Sequence, residues 1–316
     1  MSSGGQGRIV ALSGGVGGAR FAHGIAQVIP PEELTVIVNT ADDFDHLGLN
    51  ISPDIDTVMY TLAGCVNAET GWGRRDETWS FMAATEALGG ETWFRLGDRD
   101  LAVHVERTRW LRAGETLSDV TRHLTRAFGV ASEILPMCDE PVATIVETSE
   151  GSLAFQEYFV ARQCRPQLIS YRFKGAEGAW LRPEVAARIA TARVILLGPS
   201  NPFVSIAPIL AVPGLLDALK ARRVPLVAVS PIIGGEAIKG PAAKMMRQLG
   251  LECSSAGVAE FYGDLLDGFV IDNADARLAG SIAASRLLIA DTVMAAEGAA
   301  ARLAKDVLAF ACRLAE

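Results

Sequence analysis

A chain of 316 residues with 50% apolar, 7% aromatic and 21% charged side chains can bury a substantial core, as one large domain or two small ones. Its formal net charge of −8 argues against broad electrostatic binding to nucleic acid. No apolar run approaches the roughly 18 residues that span a bilayer, so no membrane partner is expected.

Met1 to Gly7 is polar and glycine-rich, without the apolar centre of a signal peptide. The apolar run Ile9–Leu12 then reads as a buried strand, and Ala19–Val28 has helical periodicity. Between them stands Ser13-Gly14-Gly15-Val16-Gly17-Gly18-Ala19-Arg20. Glycines let backbone amides approach a ligand, and a helix N-terminus adds unpaired donors and partial positive charge, which suits phosphate. A glycine-rich turn with no ligand is the plainer alternative. The dinucleotide fingerprint fits Gly15 and Gly17 but meets Arg20 at its third glycine, and Asn39-Thr40 stands where its acid belongs. A Walker loop needs a lysine, and the first lysine is Lys174.

The second apolar run, Leu34–Val38, ends in Asn39-Thr40-Ala41-Asp42-Asp43, and Ser52-Pro53-Asp54-Ile55-Asp56-Thr57 follows shortly. Four carboxylates so close to a phosphate-type turn repel one another unless a cation neutralises them. Mg²⁺ is the natural candidate, since it takes carboxylates together with substrate phosphates. Taken singly, Asp54 also fits a first-turn acid behind Ser52 and Pro53, and Asp42 and Asp43 fit turn residues. His46, in the same loop, has no visible partner.

Residues 57–128 read as a mostly helical insertion or cap, rich in arginine, with Trp72, Trp79, Trp93 and Trp110; residues 1–56 and 129–316 form the core. The tryptophans suit a flat ring system or simple burial. In Leu96-Gly97-Asp98-Arg99-Asp100-Leu101, Arg99 either reaches a ligand or closes a local ion-pair turn.

Further strands are expected at Val142–Val146, Val194–Leu197, Leu226–Val229, Phe269–Ile271 and Leu287–Ile289, with helices over Glu184–Thr191 and Ala242–Leu249 and an edge hairpin in Gln156–Phe173. Apolar strands alternating with helices indicate an α/β fold with a mostly parallel sheet covered on both faces. Ligands of such sheets lie beyond the strands' carboxyl ends. That places Gly198-Pro199-Ser200-Asn201-Pro202 and Ser230-Pro231-Ile232-Ile233-Gly234-Gly235 beside the two earlier loops. Ser200 and Asn201 suit a phosphate, a base edge or a turn. Lys239 and Lys244 read as solvated. Five scattered cysteines read as free buried thiols in a reducing, cytoplasmic setting, and no H-E-x-x-H points to zinc. The apolar stretch Ala295–Leu314 fits either a subunit interface or sheet cover.

The ordered motifs, together with Gly71-Trp72-Gly73, resemble the 2-phospho-L-lactate transferase family of deazaflavin coenzyme F-420 biosynthesis, from about Arg8 to Asp272. The resemblance implies a Rossmann-like core, Mg²⁺, a frequent homodimer and transfer of a phosphoryl-linked three-carbon acid. The donor would be guanosine diphosphate-linked, the acceptor the terminal ribityl hydroxyl of the deazaflavin Fo, and the released product GMP. Members differ in the acid (2-phospholactate, phosphoenolpyruvate or 3-phosphoglycerate); the Gly-Gly-Val-Gly-Gly-Ala-Arg and Gly-Trp-Gly forms are similar to the phosphoenolpyruvyl branch. By the same resemblance Asp56 and Arg99 contact Fo, and Asp42, Asp43 and Asp54 hold metal. Asp56 and Asp43 are the candidate catalytic carboxylates. Gly14, Gly15, Gly17, Gly18, Asn39, Ser200 and Asn201 hold the donor. Replacing Asp56 by alanine is expected to abolish turnover with folding intact. A nucleotide-sugar-binding regulator of the same fold, without turnover, is the alternative.

Overall fold

In the computed structural model, residues 7–282 and 286–315 are described, so the polar segment Met1 to Gln6 lies outside the described residues. The Ile9–Leu12 run forms the middle of strand β1 (Arg8–Ser13). Its alternate residues serve opposite layers: Ile9 and Ala11 join one apolar cluster, Val10 and Leu12 the other. Six more strands complete a wholly parallel sheet: β2 (Leu34–Val38), β3 (Glu133–Pro136), β4 (Ala192–Leu197), β5 (Leu226–Val229), β6 (Gly268–Asp272) and β7 (Leu287–Ala290). In space they run β3-β2-β1-β4-β5-β6-β7. The order reverses between β1 and β4, where Leu12 pairs with Ile37 on one side and Leu197 on the other. Connections leave those two strands in opposite directions, so a crevice opens beyond Ser13 and Leu197.

Helix α1 (Gly15–Val28) starts directly after β1, four residues before its apolar periodicity does. After β2, a short antiparallel hairpin (Phe44–His46 with Leu49–Ile51) leads into α2 (Pro53–Leu62), which packs on α1. Helices α3 (Ser80–Ala87), α4 (Asp98–Arg112) and α5 (Leu117–Ala127) follow before β3. The helix Ala299–Leu314 buries Leu303, Ala304, Val307, Phe310 and Ala311 in the cluster that α1 also joins. Its place is sheet cover. A Cβ on Gly24 of α1 would strike the Ala300 carbonyl, so the two helix backbones meet there directly.

Three sequence expectations are corrected. Ala143–Thr148, which contains most of the Val142–Val146 run, belongs to a separate antiparallel sheet between Gly151–Ala154 and Leu168–Lys174. Every second residue of that strand is buried, the pattern of a strand with one covered face. Residues 156–173 are accordingly no hairpin: Glu157–Ala161 forms a π-helical turn, and Leu168–Lys174 is the third strand. Of the cysteines, Cys138 and Cys164 are buried but Cys312 is exposed. Among the described residues no helix is long and apolar enough to cross a membrane.

Candidate active site

The glycines are first a packing requirement. A Cβ on Gly14 would lie 2.6 Å from both Asp54 Oδ2 and Ser205 Cβ; one on Gly17 would strike the Pro199 carbonyl, and one on Gly18 the hydroxyls of Ser13 and Ser200. The turn after β1 is thus pressed against the loop after β4. Ser200 Oγ ties the two together, donating to Gly14 O (2.8 Å) and accepting from Gly14 N (3.2 Å). Gly15, at φ +64°, has open space where a Cβ would be, as a position facing a cavity requires.

Four N–H groups at a helix start lack intrahelical partners. Here Gly14 N goes to Ser200, and Gly15 N donates to Asp54 Oδ1 at 2.7 Å. That leaves Val16 and Gly17, both on the wall of a cavity of about 630 Å³. Gly18, Asn39 and Asp43 stand outside that wall, whereas Gly14, Gly15, Gly17, Asp42, Asp54, Asp56, Ser200 and Asn201 are part of it.

Asn39 orients the acids from behind. Its Nδ2 donates to Asp54 Oδ2 (2.9 Å) and Val204 O (3.2 Å), and its Oδ1 accepts from Ala41 N (3.0 Å). Asp43 accepts from Ser52 Oγ (2.7 Å), which draws the hairpin loop to the start of α2. Burial lifts the Asp42 carboxyl well above the usual carboxylate range, and the charges of Asp54 and Asp43 lift it further. Burial also raises Asp43 and pushes Asp54 up to about 6, the latter against the bonds from Asn39 and Gly15. Asp42 Oδ1 and Asp43 Oδ1 are buried without a hydrogen-bond partner. Oxygen donors that repel one another, beside free amides, fit a hard divalent cation such as Mg²⁺.

A second buried network comes from α4, which the sequence reading passed over apart from Arg99. Asp100, His104 and Arg107 share one face at helical spacing. Arg107, fully buried, ion-pairs with Asp56 Oδ1. His104 Nδ1 lies 3.7 Å from Asp56 Oδ2, and its Nε2 lies 3.4 Å from Asp100 Oδ2. Tyr60 donates to Asp100 Oδ1 at 2.5 Å. One atom each of Asp56, Asp100 and His104 lie within 4.8 Å of one another, a spacing that would suit a metal. The Arg107 guanidinium, with Nη1 3.2 Å from His104 Nδ1, already supplies the positive charge. Burial raises Asp56 despite Arg107 and His104; for Asp100 burial acts upward too, but His104, Tyr60 and Arg107 outweigh it and lower it. Asp56 is therefore the counter-ion of a buried arginine. Its removal would strand that charge, which corrects the expectation that Asp56→Ala leaves folding intact.

Trp72, Trp93, Phe94 and Phe159 give the cavity aromatic walls. His46, rather than facing the acids, sits among Phe44, Trp93 and Phe94. Trp79 is exposed under Arg95, whose guanidinium carbon is 4.1 Å from the ring centroid. Arg99 is exposed in the first turn of α4 and is not part of the cavity wall; Arg95 is. Asn201 caps the turn that follows it, accepting from Phe203 N at 2.9 Å. Lys239 is exposed, as expected of a solvated charge, but also lines the cavity, whereas Lys244 is half-buried and donates to Cys164 O.

The family model described as 2-phospho-L-lactate transferase CofD matches residues 9–301. A phosphoenolpyruvate transferase from Kitasatospora aureofaciens is 44% identical over 313 residues, 96% of this chain and 98% of that one. A 2-phospho-L-lactate transferase from Methanosarcina mazei is 42% identical over 267 residues, 84% of this chain and 88% of that one. A solved UPF0052-family protein from Bacillus halodurans shares the fold, with a TM-score of 0.63 over 97% of this chain and 100% of that chain at 13% identity. With the match to its model running from β1 into the C-terminal helix, the chain belongs to the 2-phospho-L-lactate transferase family, CofD.

Proposed function

We propose that the protein is an Mg²⁺-dependent transferase of coenzyme F-420 biosynthesis. It moves a phosphoenolpyruvyl group from a guanosine diphosphate-linked donor to Fo and releases GMP. The observation that carries this reading is the pair Asp42 and Asp54, buried and raised, against the open amides of Val16 and Gly17 in one cavity. The phosphoenolpyruvate transferase from Kitasatospora aureofaciens matches 96% of this chain and the 2-phospho-L-lactate transferase from Methanosarcina mazei 84%, which supports the former acid over the latter.

In this reading Asp42 and Asp54, with Asp43 behind them, would hold Mg²⁺, which would supply positive charge to offset that of the diphosphate and of the leaving group. Val16 and Gly17 amides receive a phosphate oxygen. Trp72, Trp93 and Phe94 flank the flat deazaflavin, with Arg95 rather than Arg99 at its edge. The Fo hydroxyl oxygen bonds to the phosphorus that carries the acid as the phosphoanhydride bond to GMP breaks. The hydroxyl proton passes to Asp56 Oδ2, which Arg107 and His104 hold in place. Positioning and electrostatics then supply most of the acceleration, as in other phosphoryl transfers. Of the candidate donors incubated with Fo and Mg²⁺, the phosphoenolpyruvyl one should release GMP fastest and give dehydro-F-420 by mass. Binding of a nucleotide sugar with no GMP release from any donor would favour the regulatory alternative instead.

A further inference from the structure

The Gly71-Trp72-Gly73 segment and Lys239 come from distant parts of the chain and meet at the glycine turn. Residues 67–73 fold on themselves: Gly71 N donates to Asn67 O (2.8 Å) and Asn67 N to Gly73 O (3.0 Å). Lys239, just after the short hairpin Ile232–Ile233 with Glu236–Ala237, donates from Nζ to Thr70 O (2.6 Å) and reaches Glu69 O (3.4 Å). Gly71 has φ +79°, and a Cβ there would lie 2.6 Å from Val16 Cγ1 and 3.3 Å from Lys239 Nζ. The ammonium therefore sits beside the first turn of α1, with one of its three donors unspent.

A second cation stands close by. Partial burial lowers the Lys239 pKa, and the charge of Arg20, one turn after Val16 on α1, lowers it further. Among the described residues neither Arg20 nor Lys239 is ion-paired to a carboxylate. Two unneutralised cations kept together beside a helix N-terminus call for an anion from outside the chain.

The identity of that anion follows from the proposed reaction, on which this inference rests. The donor carries a diphosphate and one carboxylate. The diphosphate has the acid cluster's divalent ion and the α1 amides; the carboxylate has no counter-charge among them. We propose that Lys239, with Arg20 beside it, receives the carboxylate of the donor's three-carbon acid, under the strap formed by residues 67–73. Donor and product share that carboxylate and GDP lacks it, so Lys239 selects for the acid rather than for the nucleotide.

The test measures binding of the guanosine diphosphate-linked phosphoenolpyruvyl donor and of GDP, each with Mg²⁺, by calorimetry, and KM for the donor, in Lys239→Met, Lys239→Arg and Arg20→Met. Donor affinity should fall about tenfold in Lys239→Met and less in Arg20→Met, GDP affinity should hold within about twofold, and Lys239→Arg should recover most of the loss. Equal losses for donor and GDP would mean a phosphate contact or a mere latch for the strap, and would overturn the assignment. Unchanged donor affinity in Lys239→Met would do the same. Donor binding without GMP release would sink the proposed reaction and still let the donor-to-GDP comparison decide Lys239. If the unaltered protein binds no donor, both fall.

Discussion

Two sets of buried charge border the same cavity and are balanced in different ways. Asp42 and Asp54 have neutral donors and other acids around them, Asp43 also feels the Arg107 charge, and burial pushes all three upward in pKa. Asp56 and Asp100 share Arg107, His104 and Tyr60, and Asp100 is held low. The second set is neutralised by its own chain, so its geometry is complete without a ligand. Among the described residues the first has no side-chain cation beyond the Arg107 charge felt at Asp43, and the proposed function gives it a divalent ion. A buried charge cluster thus reads as structural or as ligand-seeking according to whether its counter-charge comes from a side chain.

That contrast can be broken most sharply at Asp54. In Asp54→Asn, GMP release should drop by about 10³-fold, and the thermal stabilisation by Mg²⁺ expected of the unaltered protein should shrink with it. A variant still fully active would place the metal elsewhere. Arg107→Met tests the other set: it leaves Asp56 buried and unpaired, at a cost of about 3–5 kcal/mol read from urea unfolding. Adding Asp56→Leu should recover much of that stability while activity stays lost. A pH series in EDTA separates the sets a third way. Asp54 is raised in the fold from 3.8 to about 6, so its contribution is greatest below the unfolded value and is lost as pH rises through about 6. The unfolding midpoint of the unaltered protein should therefore fall relative to Asp54→Asn across that window, and Mg²⁺ should close the gap. Midpoints that run parallel would show no such linkage. Smallest is Trp72→Ala: KM for Fo should rise about tenfold with the melting temperature unchanged, because this exposed ring lines the cavity and not the core.

The strand, glycine turn and helix were legible because each signal is local: a β-branched run, four glycines, an amphipathic period. Asp42 and Asp54 were legible for the same reason, lying just past the second strand and at the start of the next helix. The face formed by Asp100, His104 and Arg107 was hidden by composition. Helix α4 carries charge on all sides, and burial of Arg107 becomes sensible only once Asp56, 51 residues earlier, lies against it. The i, i+4 and i, i+7 spacing of those three was the available signal. Glu133–Pro136 is a short strand that begins with Glu and ends in proline, so nothing in its four residues announces a sheet edge. Ala143–Thr148 hid its one-sided burial, because its covered face is Thr144, Val146 and Thr148 while Ile145 lies on the other, so apolar pattern and burial disagree. The role of Lys239 needed the loop around Thr70, 169 residues away.

The direct meeting of Gly24 with Ala300 has a consequence for the cavity. The helix behind the glycine turn is held by backbone contact with the distant helix Ala299–Leu314, so the seat of the turn depends on a segment remote from the cavity. A bulky side chain at position 24 would push the two helices apart and should surface as weaker donor binding.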